Sequence, residues 1–233
     1  GERRMQPRTG PSLAQHPDGV QAGFFEVDGT LMDTDDQAVE NLSTKLRFLG
    51  TDRAARLARR TVMATESPMN FAMTVLDMVG LDPLIFGLRR RLSRAVKPTF
   101  RLMTGVRPLI EHLARDKDLA VITTRSRQDA LSFLAQHDLT DAFDLVVTQE
   151  TTKRLKPHPE PVLYAARELS LSPTACAMVG DTTVDVRSAR RAGAWAIAVL
   201  CGFGEERELR RAGAQAILPA TADLLPLLTE SPA

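Results

Sequence analysis

The hydrophobic positions of this chain fall into two regimes. A short apolar run, Gly23 to Val27, reads as a strand that breaks at Asp28-Gly29, where turn chemistry begins. Four helical patterns then follow with no strand among them. Apolar residues recur at helical spacing from Val39 to Leu49, from Ala54 to Val62, from Met69 to Val79 and from Leu84 to Ala95. Gly50-Thr51-Asp52, Ser67-Pro68 and the stretch from Gly80 to Pro83 punctuate them, and Ser, Asp and Pro there favour helix starts. This region predicts a helical bundle.

From Gly105 onward the pattern alternates. Val106, Leu109, Ile110 and Leu113 make a helix face, Leu119 to Ile122 a strand, and Leu131 to Leu134 part of the next helix. Further strands are predicted at Leu145 to Val147, Ala175 to Val179, Trp195 to Leu200 and Ala216 to Leu218, with helices near 160–169, 183–192, 205–212 and 221–228. Apolar strands separated by helices imply a parallel sheet covered on both faces. The first strand must join that later sheet, because alone it has nothing to pair with. The expected fold is therefore α/β, a doubly wound parallel sheet with an inserted α-helical cap. Residues 21–32 and 100–233 form the core and 33–99 the cap, connected by two hinge segments. Residues 1–20 mix Arg, Pro, Gly, Gln and Ser without an apolar run and read as a flexible arm, neither signal peptide nor membrane anchor.

Composition narrows the class. At 233 residues, 43% hydrophobic and 25% charged, the chain can bury a substantial core. Thirty Lys plus Arg against 29 Asp plus Glu leave a net charge of +1, which gives no global electrostatic reason to expect nucleic acid. The longest near-apolar stretch, Ala192 to Phe203, falls short of the ~20 residues that span a bilayer. The two cysteines, Cys176 and Cys201, are too few for a disulfide framework, so reduced thiols and a cytoplasmic location are expected. His16, His112, His137 and His158 lack ligand-like spacing, and Met63, Met69, Met73 and Met78 read as filling the cap core or lining a pliable substrate wall rather than binding a cofactor.

Ligands of an open parallel sheet bind beyond the carboxyl ends of its strands. Here those ends carry Glu26-Val27-Asp28-Gly29-Thr30, then Thr123-Thr124, then Gly180-Asp181-Thr182-Thr183-Val184-Asp185. Four carboxylates, Glu26, Asp28, Asp181 and Asp185, are expected to converge there. They would repel one another without a cation, and a hard, oxygen-rich site suits Mg²⁺. Lys156, in Lys156-Pro157-His158-Pro159, follows the third strand by a loop and supplies a point charge for a phosphate oxygen. Taken singly, each element has an ordinary explanation: Asp-Gly as a turn, Asp181 as a helix cap, Asp185 as a first-turn carboxylate, Thr123 as a strand-end hydroxyl.

Together they resemble a known family. Glu26-Val27-Asp28-Gly29-Thr30-Leu31, Val121-Ile122-Thr123, Lys156-Pro157-x-Pro159 and Gly180-Asp181-x-x-x-Asp185 match, in order, the four motifs of the haloacid dehalogenase superfamily. The likeness is to its capped phosphatases of the phosphoglycolate-phosphatase type and runs from about Gly23 to about Leu228. It implies a core of that family's type and Mg²⁺-dependent hydrolysis of a small phosphorylated metabolite; whether the chain is a monomer or homodimer is left open by the sequence. The first motif's leading carboxylate would attack phosphorus, and Asp28 would serve as acid and base. Thr123, Thr124 and Lys156 would hold the phosphoryl oxygens, and Glu26, Asp28, Asp181 and Asp185 the metal.

The departure is at position 26, where the family places Asp and this chain has Glu. The extra methylene displaces the carboxylate by about a bond length, and a misplacement of ~1 Å can cost on the order of 10²-fold in rate. A working but impaired phosphatase and a silent phosphate- or metal-binding protein are both compatible with that change. Dehalogenation of 2-haloacids would not need the metal ligands. Phosphonate cleavage would want a cap lysine, and none occurs between Leu46 and Val96.

Overall fold

The structure is a computed structural model that describes residues 19–33 and 101–229. The predicted arm up to residue 18 and the predicted helical cap from residue 34 lie outside these residues. The described elements are β1 (Ala22–Phe25), α1 (Val106–Leu113), β2 (Asp118–Ile122), α2 (Arg127–Gln136), β3 (Leu145–Val147), α3 (Glu160–Glu168), β4 (Cys176–Gly180), α4 (Thr183–Ala192), β5 (Trp195–Val199), α5 (Glu206–Ala212), β6 (Ala216–Leu218) and α6 (Leu224–Thr229). A 3₁₀ turn, Thr221–Asp223, leads into α6, where a single helix over 221–228 is expected from the pattern.

All pairings are parallel, in the order β3-β2-β1-β4-β5-β6. β1 lies inside the sheet, with Ala22 opposite both Asp118 and Cys176, so the predicted recruitment of the first strand is realised. Its two phenylalanines show why its run is apolar throughout. Phe24 packs with Ala120, Ile122, Met178, Val162 and Val186 on one face. Phe25, one residue on and therefore on the other face, packs with Val121, Val179, Ile110 and Phe133. Helices α3, α4 and α5 cover the first face, and α1, α2 and α6 the second.

Two features bring this fold to its rim. Strand order reverses between β1 and β4, which opens a crevice at their carboxyl ends. Beyond β1 the chain folds into a turn in which the amides of Leu31 and Met32 both donate to the Val27 carbonyl. The outgoing segment then pairs with the incoming one: Met103 N donates to Leu31 O at 2.8 Å and Asp33 N to Arg101 O at 2.9 Å. Residues 33 and 101, where the two described segments end, therefore lie side by side near Asp28.

Candidate active site

The end of β1 carries two carboxylates. Glu26 follows the last residue of the strand and is buried, with its amide donating to Val179 O of β4 at 3.0 Å. One carboxylate oxygen accepts from the Thr123 hydroxyl at 2.9 Å, and the other pairs with the Lys156 ammonium. Lys156 arrives from the loop after β3, where its bond to Pro157 is cis. Its ammonium also donates to Ile122 O at 2.9 Å and to Asp185 Oδ1 at 2.6 Å. An ammonium has three donors, and here all three are used. Asp185 in turn closes the start of α4, its Oδ2 accepting from the Thr182 amide at 3.1 Å and hydroxyl at 2.5 Å. Asp185 thus serves as both helix cap and partner of Lys156, and it is buried rather than solvated.

Asp28 sits nearer solvent. Arg125, three residues past the end of β2, grips it through two parallel bonds of 2.7 Å, Nε to Oδ2 and a terminal nitrogen to Oδ1. Burial on its own would lower the pKa of the guanidinium, but the hydrogen bonds to Asp28 and its charge outweigh that and raise it. Thr124, between Thr123 and Arg125, is partly buried on the same rim.

Asp181, the first residue after β4, is fully buried. Its Oδ1 accepts from the Thr30 hydroxyl at 3.3 Å and its Oδ2 from the Phe203 amide at 2.8 Å. Two glycines press against it. A Cβ on Gly29 (φ +68°) would lie 2.2 Å from Oδ2, and one on Gly202 would lie 2.1 Å from the same atom. Burial, followed by the charge of Asp185 and, more weakly, Asp28, pushes the Asp181 carboxyl well above the usual carboxylate range. Cys201, next along this loop, is a free thiol 3.5 Å from Gly29 O, and Cys176 is a free buried thiol in β4.

The four carboxylates expected to converge all lie at this rim, and two cations pair with three of them. Among the described residues, no group of three or more His, Cys, Asp and Glu side chains is arranged to hold a metal. The reason is physical: the Lys156 ammonium stands between Glu26 and Asp185, and Arg125 engages Asp28. The chemistry of the donors still suits a hard divalent cation. Four carboxylates face two cations, Lys156 and Arg125, and the charges acting on buried Asp181 are those of other carboxylates.

A family model described as haloacid dehalogenase-like hydrolase matches residues 24–199. The chain belongs to this family. It is 28% identical over 225 residues to a phosphoglycolate phosphatase of Nitrosospira multiformis, covering 91% of this chain and 97% of that one. It is 30% identical over 217 residues to a phosphoglycolate phosphatase of Synechococcus elongatus, covering 91% and 98%. A crystal structure of a haloacid dehalogenase-like hydrolase from Bacteroides fragilis superposes with a TM-score of 0.66 over 88% of this chain and 99% of that one. At 24% identity it supports the fold alone.

In this haloacid dehalogenase-like hydrolase the residues singled out from sequence, Glu26, Asp28, Thr123, Thr124, Lys156, Asp181 and Asp185, all lie just past the carboxyl ends of β1, β2 and β4, on a loop that reaches them, or in the first turn of α4. Three features were missed. Arg125 is the partner of Asp28, and its signal was a basic residue directly after Thr123-Thr124. Thr30 holds Asp181 through its hydroxyl. The loop after β5 wraps Asp181, and only its paired glycines, Gly202 and Gly204, hinted at close backbone approach.

Proposed function

We propose that this chain is a Mg²⁺-dependent phosphatase acting on phosphomonoesters of a small metabolite. The observation that carries the reading is the position of the Glu26 carboxylate, between a hydroxyl and an ammonium at the closed end of the crevice, with Asp28 two residues on at its open rim. In this reading an oxygen of Glu26 attacks phosphorus as the ester oxygen leaves on the opposite side. Asp28 gives that oxygen a proton and then takes one from the water that hydrolyses the acyl phosphate. Thr123, Thr124 and Lys156 hold the non-bridging oxygens. Glu26, Asp28, Asp181 and Asp185 are the residues that would hold Mg²⁺, which when bound offsets the negative charge of the transferred group.

A second reading has an observation of its own. Both Glu26 oxygens are already engaged, by Thr123 and Lys156, which suits a protein that binds phosphate or metal without turning over. A phosphomonoester panel with Mg²⁺, run on the parent beside Glu26→Asp and Asp28→Asn, separates the two. Turnover by the parent that disappears with Asp28→Asn or EDTA supports the phosphatase. Silence in the parent and in Glu26→Asp alike would overturn it in favour of the binding protein.

A further inference from the structure

We infer that Glu26 acts as an internal anion, its carboxylate filling the place of phosphate oxygens and closing the site to phosphate until it moves. The inference rests on the reading of this rim as a phosphoryl site and names what controls access to it.

Donor counting leads there. The Thr123 hydroxyl has one hydrogen to give and gives it to Glu26 Oε1. Lys156 has three, directed to Glu26 Oε2, Ile122 O and Asp185 Oδ1. The Ile122 carbonyl belongs to the sheet, and Asp185 is fixed by Thr182 at the start of α4. Of the three acceptors on Lys156, Glu26 alone is a side chain that meets both Lys156 and Thr123. A carboxylate bridging a buried ammonium and a buried hydroxyl presents two negative oxygens where a phosphate would present two of its own. An incoming phosphate must either expel that carboxylate or go without both donors. Desolvation sharpens the competition, because Thr123 and Lys156 are 3% and 5% exposed, and at such depth water cannot stand in for a lost donor.

The test is calorimetric titration of inorganic orthophosphate, at one fixed Mg²⁺ concentration, into the parent, Glu26→Ala, Glu26→Asp, Glu26→Gln and the double variant Glu26→Ala/Lys156→Met. Glu26→Ala frees two charge-assisted hydrogen bonds, and even one of them predicts binding about tenfold or more tighter than in the parent. Glu26→Asp keeps a charge for Lys156, and so guards against a folding defect; with its shorter side chain it is expected to gain as well. Glu26→Gln removes the charge but still fills the space and still accepts from Thr123, so it should gain far less than Glu26→Ala. The double variant should lose the gain. Equal affinity in the parent and Glu26→Ala would overturn the inference, as would equal gains in Glu26→Gln and Glu26→Ala, which would reduce the effect to net charge. Because binding is read without turnover, silence of both the parent and Glu26→Asp with this affinity pattern sinks the phosphatase reading alone, and an active parent with equal affinities sinks the internal anion alone.

Discussion

Glu26 and Asp28 leave the same strand end two residues apart and meet opposite surroundings. The Glu26 side chain is 7% exposed and its cation, Lys156, 2%; the Asp28 side chain is 29% exposed and its cation, Arg125, 24%. The first pair is tied on all sides, to Thr123, Ile122 and Asp185. The second is a fork between two side chains at the edge of solvent. The difference teaches how one strand end can carry a tightly held group and a loosely held one. A buried ion depends on every partner it has, whereas a rim pair exchanges its partner for water at little cost.

The largest effect should come from removing the shared cation. In Lys156→Met, the buried carboxylates of Glu26 and Asp185 would face each other without the ammonium between them. A loss of about 3–5 kcal/mol of folding stability is expected, the cost of stripping a buried charge of its partner. Urea unfolding at neutral pH with EDTA measures it. A loss under about 1 kcal/mol would mean that the Glu26 cluster behaves like the rim pair and that the contrast between them is false.

Asp181 extends the comparison to a carboxylate that no cation among the described residues holds. Its folded pKa is raised, because burial and then the Asp185 and Asp28 charges disfavour ionisation. Between the ordinary carboxylate pKa and the raised one, the folded protein therefore holds a proton that the unfolded chain has released. The stability linked to it is complete below the ordinary carboxylate pKa and is lost as pH rises through the raised one. With EDTA present, unfolding midpoints should fall across that window in the parent and flatten in Asp181→Asn. At neutral pH the variant should be the more stable of the two. Mg²⁺ should stabilise the parent against heat and leave Asp181→Asn unchanged. A midpoint equally pH-dependent in both proteins would place the burden on another group.

Much of this arrangement could be read from the sequence. The runs at Leu145 to Val147 and Ala216 to Leu218 became strands with the predicted bounds, because a short apolar stretch between helices has one way to bury both faces. The residues Thr123, Lys156, Asp181 and Asp185 were legible because strand ends in such a sheet point at one rim. Partners were not legible. Nothing in the spacing says that Lys156 divides Glu26 from Asp185, or that Arg125 takes Asp28, since an ion pair across strands depends on register and on which side chain arrives first. The loop after β5 was missed for a related reason. Its contact with Asp181 is made by the Phe203 amide, and the amino-acid sequence does not show which backbone groups approach a side chain.

The smallest effect on stability, and the one that best sharpens the contrast, belongs to Arg125. Replacing it with Met should cost about 1 kcal/mol or less, since Asp28 can take up water, and the difference should shrink in 1 M NaCl, where the Debye length is about 3 Å. Activity should respond differently from stability. If Arg125 sets the orientation of Asp28, Arg125→Lys keeps the charge but loses the fork, and one point of attachment replaces two. Measured in the Glu26→Asp background, where the nucleophile has its shorter form, kcat should fall about tenfold, about the effect of mispositioning one acid-base group, with KM little changed. A fall in kcat/KM carried by KM alone would instead make Arg125 a contact for substrate. An unchanged rate would show that Asp28 finds its working position without Arg125.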